Sequence, residues 1–389
     1  MKWKTYRLGN ILQFNPAERL AKGTFAKKVP MDLLQPRTRA ISGFEMVSYT
    51  GGNKFRNGDT LMARITPCLE NGKTAYVSIL DEDEVGFGST EYIVFRNIEG
   101  VTDSKYIYYF VTNPWFRNIA IKSMVGSSGR QRVQLAVLEN LVVNLPPLAE
   151  QKRIADILGA LDDKIELNRR INDNLEEQAK ALFNHYFIQN TENLGEWQDG
   201  VLTDIAQYLN GLAMQKYPAM PNEAGLPVLK IKELGQGQCD TNSDRCSSLI
   251  KPEYIISDGT IIFSWSGTLL VDIWCGGKCG LNQHLFKVSS AKYPQWFVFY
   301  WTKHHLNKFI RIAKDKAVTM GHIKRCDLEI SKVKIPSKQA LVNLDKLFSP
   351  IFNRMVTCRI ENRKLSSLRD TLLPKLMSGE ISVEEVSLD

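Results

Sequence analysis

The amino-acid sequence predicts an α+β protein: two mixed α/β globules separated by two long helices that pair as an antiparallel coiled coil, built as an internal pseudo-two-fold repeat. Three observations predict it. The chain resembles itself across its two halves, each half ends in an amphipathic heptad run, and the stretch before each run mixes short apolar segments with turn signals.

The self-match comes first because a period near half the length implies two copies of one unit. Leu8-Gly9-Asn10-Ile11 resembles Leu202-Thr203-Asp204-Ile205, and Gly58-Asp59-Thr60-Leu61-Met62-Ala63-Arg64 resembles Asp258-Gly259-Thr260-Ile261-Ile262-Phe263-Ser264. Further on the offset settles. Tyr106-Ile107-Tyr108-Tyr109-Phe110 matches Trp296-Phe297-Val298-Phe299-Tyr300, and Leu138-Glu139-Asn140-Leu141 matches Leu328-Glu329-Ile330-Ser331 before Pro146 meets Pro336.

The heptads follow those prolines. Ile154, Leu158, Leu161, Ile165, Asn168, Asn172, Leu175, Ala179 and Leu182 alternate spacings of four and three, as a and d positions do. The second copy reads Leu344, Phe348, Ile351, Met355, Cys358, Asn362, Leu365, Arg369 and Leu372. Pro146-Pro147 and Pro336 stand upstream, and Pro374 with Ser378-Gly379 is expected to close the second helix. Each helix, about 36 residues, would reach roughly 54 Å at 1.5 Å per residue. A rod of that length needs a partner, and the economical one is the other helix laid antiparallel. Asn168, Asn172 and Asn362 on the seam either fix its register or stay hydrated at its rim.

The expected organisation is therefore a first globule over 1–149, a first helical region over 150–190, a second globule over 191–336 and a second helical region over 337–381. Runs such as Thr90-Glu91-Tyr92-Ile93-Val94-Phe95 read as strands, and Gly51-Gly52-Asn53 and Gly276-Gly277 as turns.

At 389 residues the chain exceeds one ordinary core, and 43% hydrophobic residues suffice for folded domains. Fifty Lys and Arg against forty-two Asp and Glu leave a charge of +8, which favours a polyanionic partner without requiring one. Met1-Lys2-Trp3-Lys4-Thr5 leads into no long apolar run, so a cytoplasmic location with no membrane is expected, and the seven cysteines are expected to be reduced.

Several motifs then point to one family. Leu145-Pro146-Pro147-Leu148-Ala149-Glu150-Gln151-Lys152-Arg153-Ile154-Ala155, followed by Leu161-Asp162-Asp163-Lys164-Ile165, resembles the first conserved helical region of type I restriction-modification specificity subunits. Ala63-Arg64-Ile65-Thr66-Pro67-Cys68-Leu69-Glu70-Asn71-Gly72-Lys73, Phe263-Ser264-Trp265-Ser266-Gly267, Leu281-Asn282-Gln283-His284-Leu285-Phe286-Lys287 and Thr319-Met320-Gly321-His322-Ile323 are similar to motifs of that family's target-recognition domains. Leu373-Pro374-Lys375-Leu376-Met377-Ser378-Gly379-Glu380-Ile381 is similar to the end of its second helical region. The resemblance covers nearly the whole chain in the family order. It implies that each globule is a target-recognition domain for one half of a split, asymmetric double-stranded DNA target, and that the helices space the domains. It also implies docking of two modification (methyltransferase) subunits and, through the assembled complex, restriction/translocase subunits. S-adenosylmethionine, ATP and Mg would then be bound by those partners, with no cofactor and no catalysis in this chain. Cys275 and Cys279, flanking Gly276-Gly277-Lys278, are not part of the family pattern.

Reactive chemistry is sparse. Gly72-Lys73-Thr74 imitates the end of a phosphate-binding loop, but Pro67 stands where that loop needs glycine, and a turn between strands is the plainer reading. Asn113-Pro114-Trp115 resembles part of an amino-methyltransferase tetrapeptide yet lacks its second proline. Cys239, Cys246, Cys275 and Cys279 could supply four thiolates to zinc, although the spacing from Cys239 to Cys246 is too open to be diagnostic; reduced, partly buried thiols are the alternative, and no metal site is expected.

DNA reading needs Arg or Lys for guanine and Asn or Gln for adenine, held in a basic groove. In the first globule the candidates are Arg64, Lys73 and the loop residues Arg130, Gln131 and Arg132 of Gly126-Ser127-Ser128-Gly129-Arg130-Gln131-Arg132. In the second they are Lys278, Asn282, Gln283, His284, Thr319, His322, Lys324 and Arg325. Any of these residues could instead be a solvated surface group or a turn cap. His304 and His305, after an aromatic run, read as packed or solvated. A self-contained nuclease or methyltransferase and a pure coiled-coil scaffold are the rival classes. Missing cofactor motifs oppose the first, and duplicated globules oppose the second.

Overall fold

The computed structural model describes residues 3–189, 197–315 and 321–386. The chain packs as two compact units, Met1–Glu166 with Leu365–Asp389 and Leu167–Lys364, so each unit joins one globule to a stretch of both long helices.

The first globule holds β1 (Lys4–Arg7), β2 (Leu12–Phe14), β3 (Phe25–Val29), β4 (Glu45–Ser48), β5 (Lys54–Phe55), β6 (Thr60–Ala63), β7 (Thr74–Tyr76), β8 (Gly86–Gly88), β9 (Tyr92–Asn97) and β10 (Val142–Leu145). They form sheets of order β2-β9-β6-β7 and β4-β3-β8-β5 and a pair β1-β10, antiparallel except where β3 meets β8. The Tyr92–Phe95 run is apolar at every position because both faces are covered. Tyr92 and Val94 pack into one cluster with Leu61, while Ile93 and Phe95 pack into another with Met62 and the helices. Helices α1 (Ser104–Thr112) and α2 (Pro114–Lys122) begin at local caps: Asp103 Oδ1 accepts from Tyr106 N at 2.9 Å and Asn113 Oδ1 from Trp115 N at 2.9 Å, with Pro114 opening the helix. The Asn113-Pro114-Trp115 tripeptide is thus a helix start. A short α3 (Leu135–Glu139) precedes β10.

The long α4 (Leu148–Phe183) continues into a π-helical turn at Asn184–Gln189. The second globule then repeats the first strand for strand. It holds β11 (Gln198–Val201), β12 (Gln207–Asn210), β13 (Leu226–Leu229), β14 (Arg245–Cys246), β15 (Ile255–Ile256), β16 (Thr260–Ser264), β17 (Leu270–Trp274), β18 (Cys279–Leu281), β19 (Leu285–Ser289) and β20 (Lys332–Ile335). Their orders are β12-β19-β16-β17, β14-β13-β18-β15 and β11-β20, with β13 and β18 again parallel. Its helices are α5 (Leu202–Ile205), α6 (Ile231–Gln236), α7 (Gln295–Asp315) and α8 (Arg325–Glu329), followed by the long α9 (Lys338–Ser378). Where α1 and α2 break at Asn113-Pro114, α7 runs on unbroken, because no proline interrupts it.

The repeat corrects the sequence comparison by one residue at its second match. Gly58 (φ +91°) donates its N–H to Val77, and its structural counterpart is Gly259 (φ +83°), which donates to Trp274, rather than Asp258. The distinction matters because a one-residue slip along a strand exchanges its two faces. With the corrected register Met62 matches Phe263, and both point into the cluster that receives the long helices.

Within each unit the long helices run antiparallel. In the first, Ile154, Ala155 and Leu158 of α4 share a core with Leu373, Leu376 and Met377 of α9 and with Tyr106 and Phe110. In the second, Ala179 and Phe183 share one with Leu344, Phe348 and Phe352 and with Trp296 and Trp301. Of the seam positions expected from the heptads, Ile154, Leu158, Leu161, Ile165, Leu344, Phe348 and Met355 are buried. Leu175, Leu182, Ile351, Leu365 and Leu372 are half-buried, and the neighbours Phe183, Phe352 and Leu373 take sealed positions instead. The stripe rotates because a straight helix drifts about 20° per heptad and because it packs on globule aromatics as well as on a helix. Phe348 stacks on Trp296 with ring centroids 4.3 Å apart. Pro374 does not close α9. The helix runs through it and through Pro350 to Ser378 and ends at Gly379 (φ +74°), since the last turn is anchored by buried Leu373, Leu376 and Met377. Among the described residues no helix is long and apolar enough to cross a membrane.

Replacing Phe348 by alanine removes a fully buried ring from the stack on Trp296, a change that costs about 3 to 5 kcal/mol in well-packed cores. The denaturation transition followed by tryptophan fluorescence is expected to move to markedly lower denaturant; an unchanged midpoint would remove Phe348 from the core that holds α9.

Candidate nucleic-acid interface

In the first globule the segment after β6 and the loop after α2 meet edge to edge. Arg64 N donates to Glu91 O at 2.9 Å, Val133 N to Arg64 O at 2.9 Å and Thr66 N to Gln131 O at 3.1 Å. The second globule repeats this frame. Trp265 N donates to His284 O at 3.4 Å, Ile323 N to Trp265 O at 3.1 Å and Gly267 N to Gly321 O at 3.1 Å. Arg64, Glu91 and Arg132 in one frame therefore stand where Trp265, His284 and His322 stand in the other.

The first frame carries charge. Arg132 grips Glu91 with Nε 3.0 Å from both carboxylate oxygens and Nη2 2.6 Å from Oε1, and this pairing raises the Arg132 pKa further. Its neighbour Arg130 is exposed at the tip of the 126–131 loop, and Gln131 is half-buried beside it. Gly126 (φ +139°) and Gly129 (φ +76°) shape that loop, and a Cβ at Gly126 would lie 2.9 Å from Arg130 O, so the tight reversal requires glycine there. Arg64 turns inward and donates to Val133 O at 3.3 Å. Lys73 is tied down as well, with Nζ 2.7 Å from Met31 O, so it supports the β6–β7 turn.

The second frame carries rings. Trp265 lies between His284 (centroids 6.0 Å apart) and His322 (6.4 Å) and donates its indole N–H to Asn210 Oδ1 at 2.9 Å. His322 is exposed, and His284 and Gln283 are half-buried with their side-chain nitrogens 3.3 Å apart. Asn282 is buried and builds the turn: its Oδ1 accepts from His284 N at 3.2 Å. Lys324 and Arg325 are exposed at the start of α8, Arg325 facing Glu329 at 3.7 Å. Lys278 is exposed but sits at the opposite end of β18 from Asn282, by the turn that Asp258 and Gly277 fasten, and so falls away from the other candidates. Thr319 lies outside the described residues.

Three basic residues that the sequence reading passed over line a groove of about 630 Å³ with Gln283 and His284: Lys230, Lys232 and Arg245. Lys230 pairs with Asp244, and Lys232 with Asp240 at 3.6 Å. The Lys230-Ile231-Lys232 alternation was the available signal. Glu91 and Trp265 had been seen only as part of a strand and of a motif.

The four cysteines weighed as zinc ligands and His305 pack into the apolar clusters or against them. Cys239 and Cys279 pack in one apolar cluster, Cys246 in a second and Cys275 in a third, where burial pushes its thiol up to about 11. Among the described residues no three His, Cys, Asp or Glu side chains converge as metal ligands. His305 is buried, hydrogen-bonds Lys332 O at 2.8 Å and is pushed down to about 4 by burial, which makes it a packed neutral ring.

The type I restriction modification DNA specificity domain matches residues 1–177. The type I restriction enzyme MjaIX specificity subunit of Methanocaldococcus jannaschii is 27% identical over 318 residues, covering 75% of this chain and 73% of that one. The HindI specificity subunit of Haemophilus influenzae is 22% identical over 469 residues, covering 97% and 99%. The S subunit of a type I restriction-modification system from M. genitalium shares the fold, with a TM-score of 0.55 at 16% identity over 96% of each chain. A frame that occurs twice with different side chains thus stands in a chain that is similar, over both its halves, to type I restriction-modification specificity subunits.

Proposed function

We propose that this chain is a type I restriction-modification specificity subunit that reads a bipartite, asymmetric double-stranded DNA target, one half-site per globule, and docks two modification subunits through its repeated helical surfaces. The observation that supports two different half-sites is the shared frame with unlike side chains, Arg64, Glu91 and Arg132 against Trp265, His284 and His322. In the first reader Glu91 holds the Arg132 guanidinium in one orientation before DNA arrives, so less freedom is lost on contact, while exposed Arg130 is free to meet phosphate. In the second, Gln283, His284 and His322 offer amide and imidazole groups beside an indole, and Lys230, Lys232 and Arg245 supply positive charge along the groove. The chain recognises and positions; S-adenosylmethionine, ATP and Mg belong to partner subunits, restriction/translocase subunits join through the assembled complex, and the site of action is the cytoplasm.

Affinity of the assembled complex for duplexes with an intact or altered first half-site, measured across salt concentrations, tests the first reader. Arg130→Ala is expected to weaken all sequences alike and to reduce the salt slope by about one. Arg132→Ala is expected to lose about one to two orders of magnitude on the intact half-site only. Unchanged affinity and slope in both variants would remove the loop from the interface.

Replacing residues 191–335 by the matching globule of another family member is expected to change one half-site and leave the other, as read by per-base methylation mapping. A change in both halves would contradict one reader per globule. Native mass spectrometry of the co-expressed complex is expected to show two modification subunits per chain; one at saturating partner would contradict the docking proposal.

A further inference from the structure

Away from the reading frame, the first unit holds a recess of about 190 Å³ between the β6–β7 turn, α1, α2 and the paired long helices. Three guanidiniums and two carboxylates line it. Arg369 takes both acids for itself, donating from Nη1 to Asp162 Oδ1 at 2.6 Å and from Nη2 to Asp370 Oδ1 at 2.8 Å, and Tyr109 adds its hydroxyl to Asp162 Oδ2 at 2.8 Å. Arg37 and Arg117 are left over. Neither joins an ion pair among the described residues, and Arg117 Nε is buried with no hydrogen-bond partner. The two converge on Gly72, where a Cβ would lie 3.0 Å from Arg117 Nη1 and 3.1 Å from Arg37 Cγ.

Such an arrangement is unfavourable when empty. Arg117 is half-buried, and its sealed Nε–H, left without an acceptor, bears the cost of lost hydration, while a second positive charge beside it adds repulsion. Burial first, and then Arg37, lower the Arg117 pKa from its ordinary value, and Asp370 offsets this only in part. Arg37 itself is held in the left-handed region (φ +54°) by its N–H on Gly72 O at 3.0 Å, a conformation that a non-glycine residue keeps only where its surroundings impose it. The fork geometry of two arginines matches a tetrahedral oxyanion. At about 30 Å³ per water the recess has room for one such anion with part of its hydration.

We propose that this recess is an oxyanion site, in which Arg37 and Arg117 grip a phosphate group. The phosphate is either a free ion or part of a DNA backbone; the chemistry of the grip is the same. The turn that ends at Gly72 begins at Arg64, so an anion bound here braces the segment that carries the first reading frame. The site stands on its own geometry and does not depend on how DNA is read.

Titration calorimetry of the full chain with inorganic phosphate, in chloride buffer at constant ionic strength, tests the site. Saturable binding at one site per chain is expected, weakened about tenfold or more in Arg117→Gln and in Arg37→Gln, since each removes a charge-assisted donor set. Arg37 is exposed, so its variant remains informative even if Arg117→Gln fails to fold. Repeating the titration with saturating short duplex separates the sources: displacement of phosphate assigns the site to a backbone phosphate, and undiminished binding assigns it to a free oxyanion. No saturable binding by the unaltered chain, or equal binding by both variants, overturns the proposal.

Discussion

The structure depends on covering the apolar stripes of two helices of 36 and 41 residues that would not persist alone in water. Neither globule closes its core without them. The cluster that seals the first takes Ile154 and Leu158 from α4 and Leu373 and Leu376 from α9, and the cluster that seals the second takes Phe183, Leu344 and Phe348. Each buried side chain of this kind contributes roughly 1.5 to 3 kcal/mol, so helix pair and globule stabilise one another.

Polar groups on the seam add specificity to that adhesion. Asn168 is fully buried and donates to Asn362 Oδ1 and Glu361 Oε2 at 2.9 Å, and Asp162 is sealed against Arg369 and Tyr109. An apolar stripe tolerates sliding by a heptad, whereas buried amides and charges do not, since a shifted register strands them without partners. Of the two readings of Asn168, the structure places it sealed within the seam and not hydrated at its rim.

The two frames separate the backbone scaffold from the side chains it displays. Three backbone hydrogen bonds recur in both globules, and the side chains they display change from a charged pair to stacked rings. Backbone bonds are indifferent to side-chain identity, so such a frame accepts substitution without refolding. That is the property a recognition surface needs when its target changes.

Much of this was legible in the sequence. The two-fold repeat, the paired long helices and the 126–132 loop all follow from spacing, because helical periodicity and glycine turns are local consequences of residue order. Family motifs drew attention to the segments that hold Trp265 and His284. Other features depended on approach in space. That Glu91 clamps Arg132, that Lys73 and Asn282 serve turns, that Lys278 lies at the other end of β18 from Asn282 and that Lys230, Lys232 and Arg245 line one groove are not encoded in neighbouring positions. The burial of Phe352 in place of Ile351 likewise goes with Phe299, more than fifty residues upstream, whose ring centroid lies 5.8 Å from that of Phe352. Residue order by itself determined which elements form and that they form twice, since those depend on periodicity along the chain. Only the tertiary structure decided which side chains are spent on packing and capping and which remain free, since that depends on what folding brings within hydrogen-bond reach.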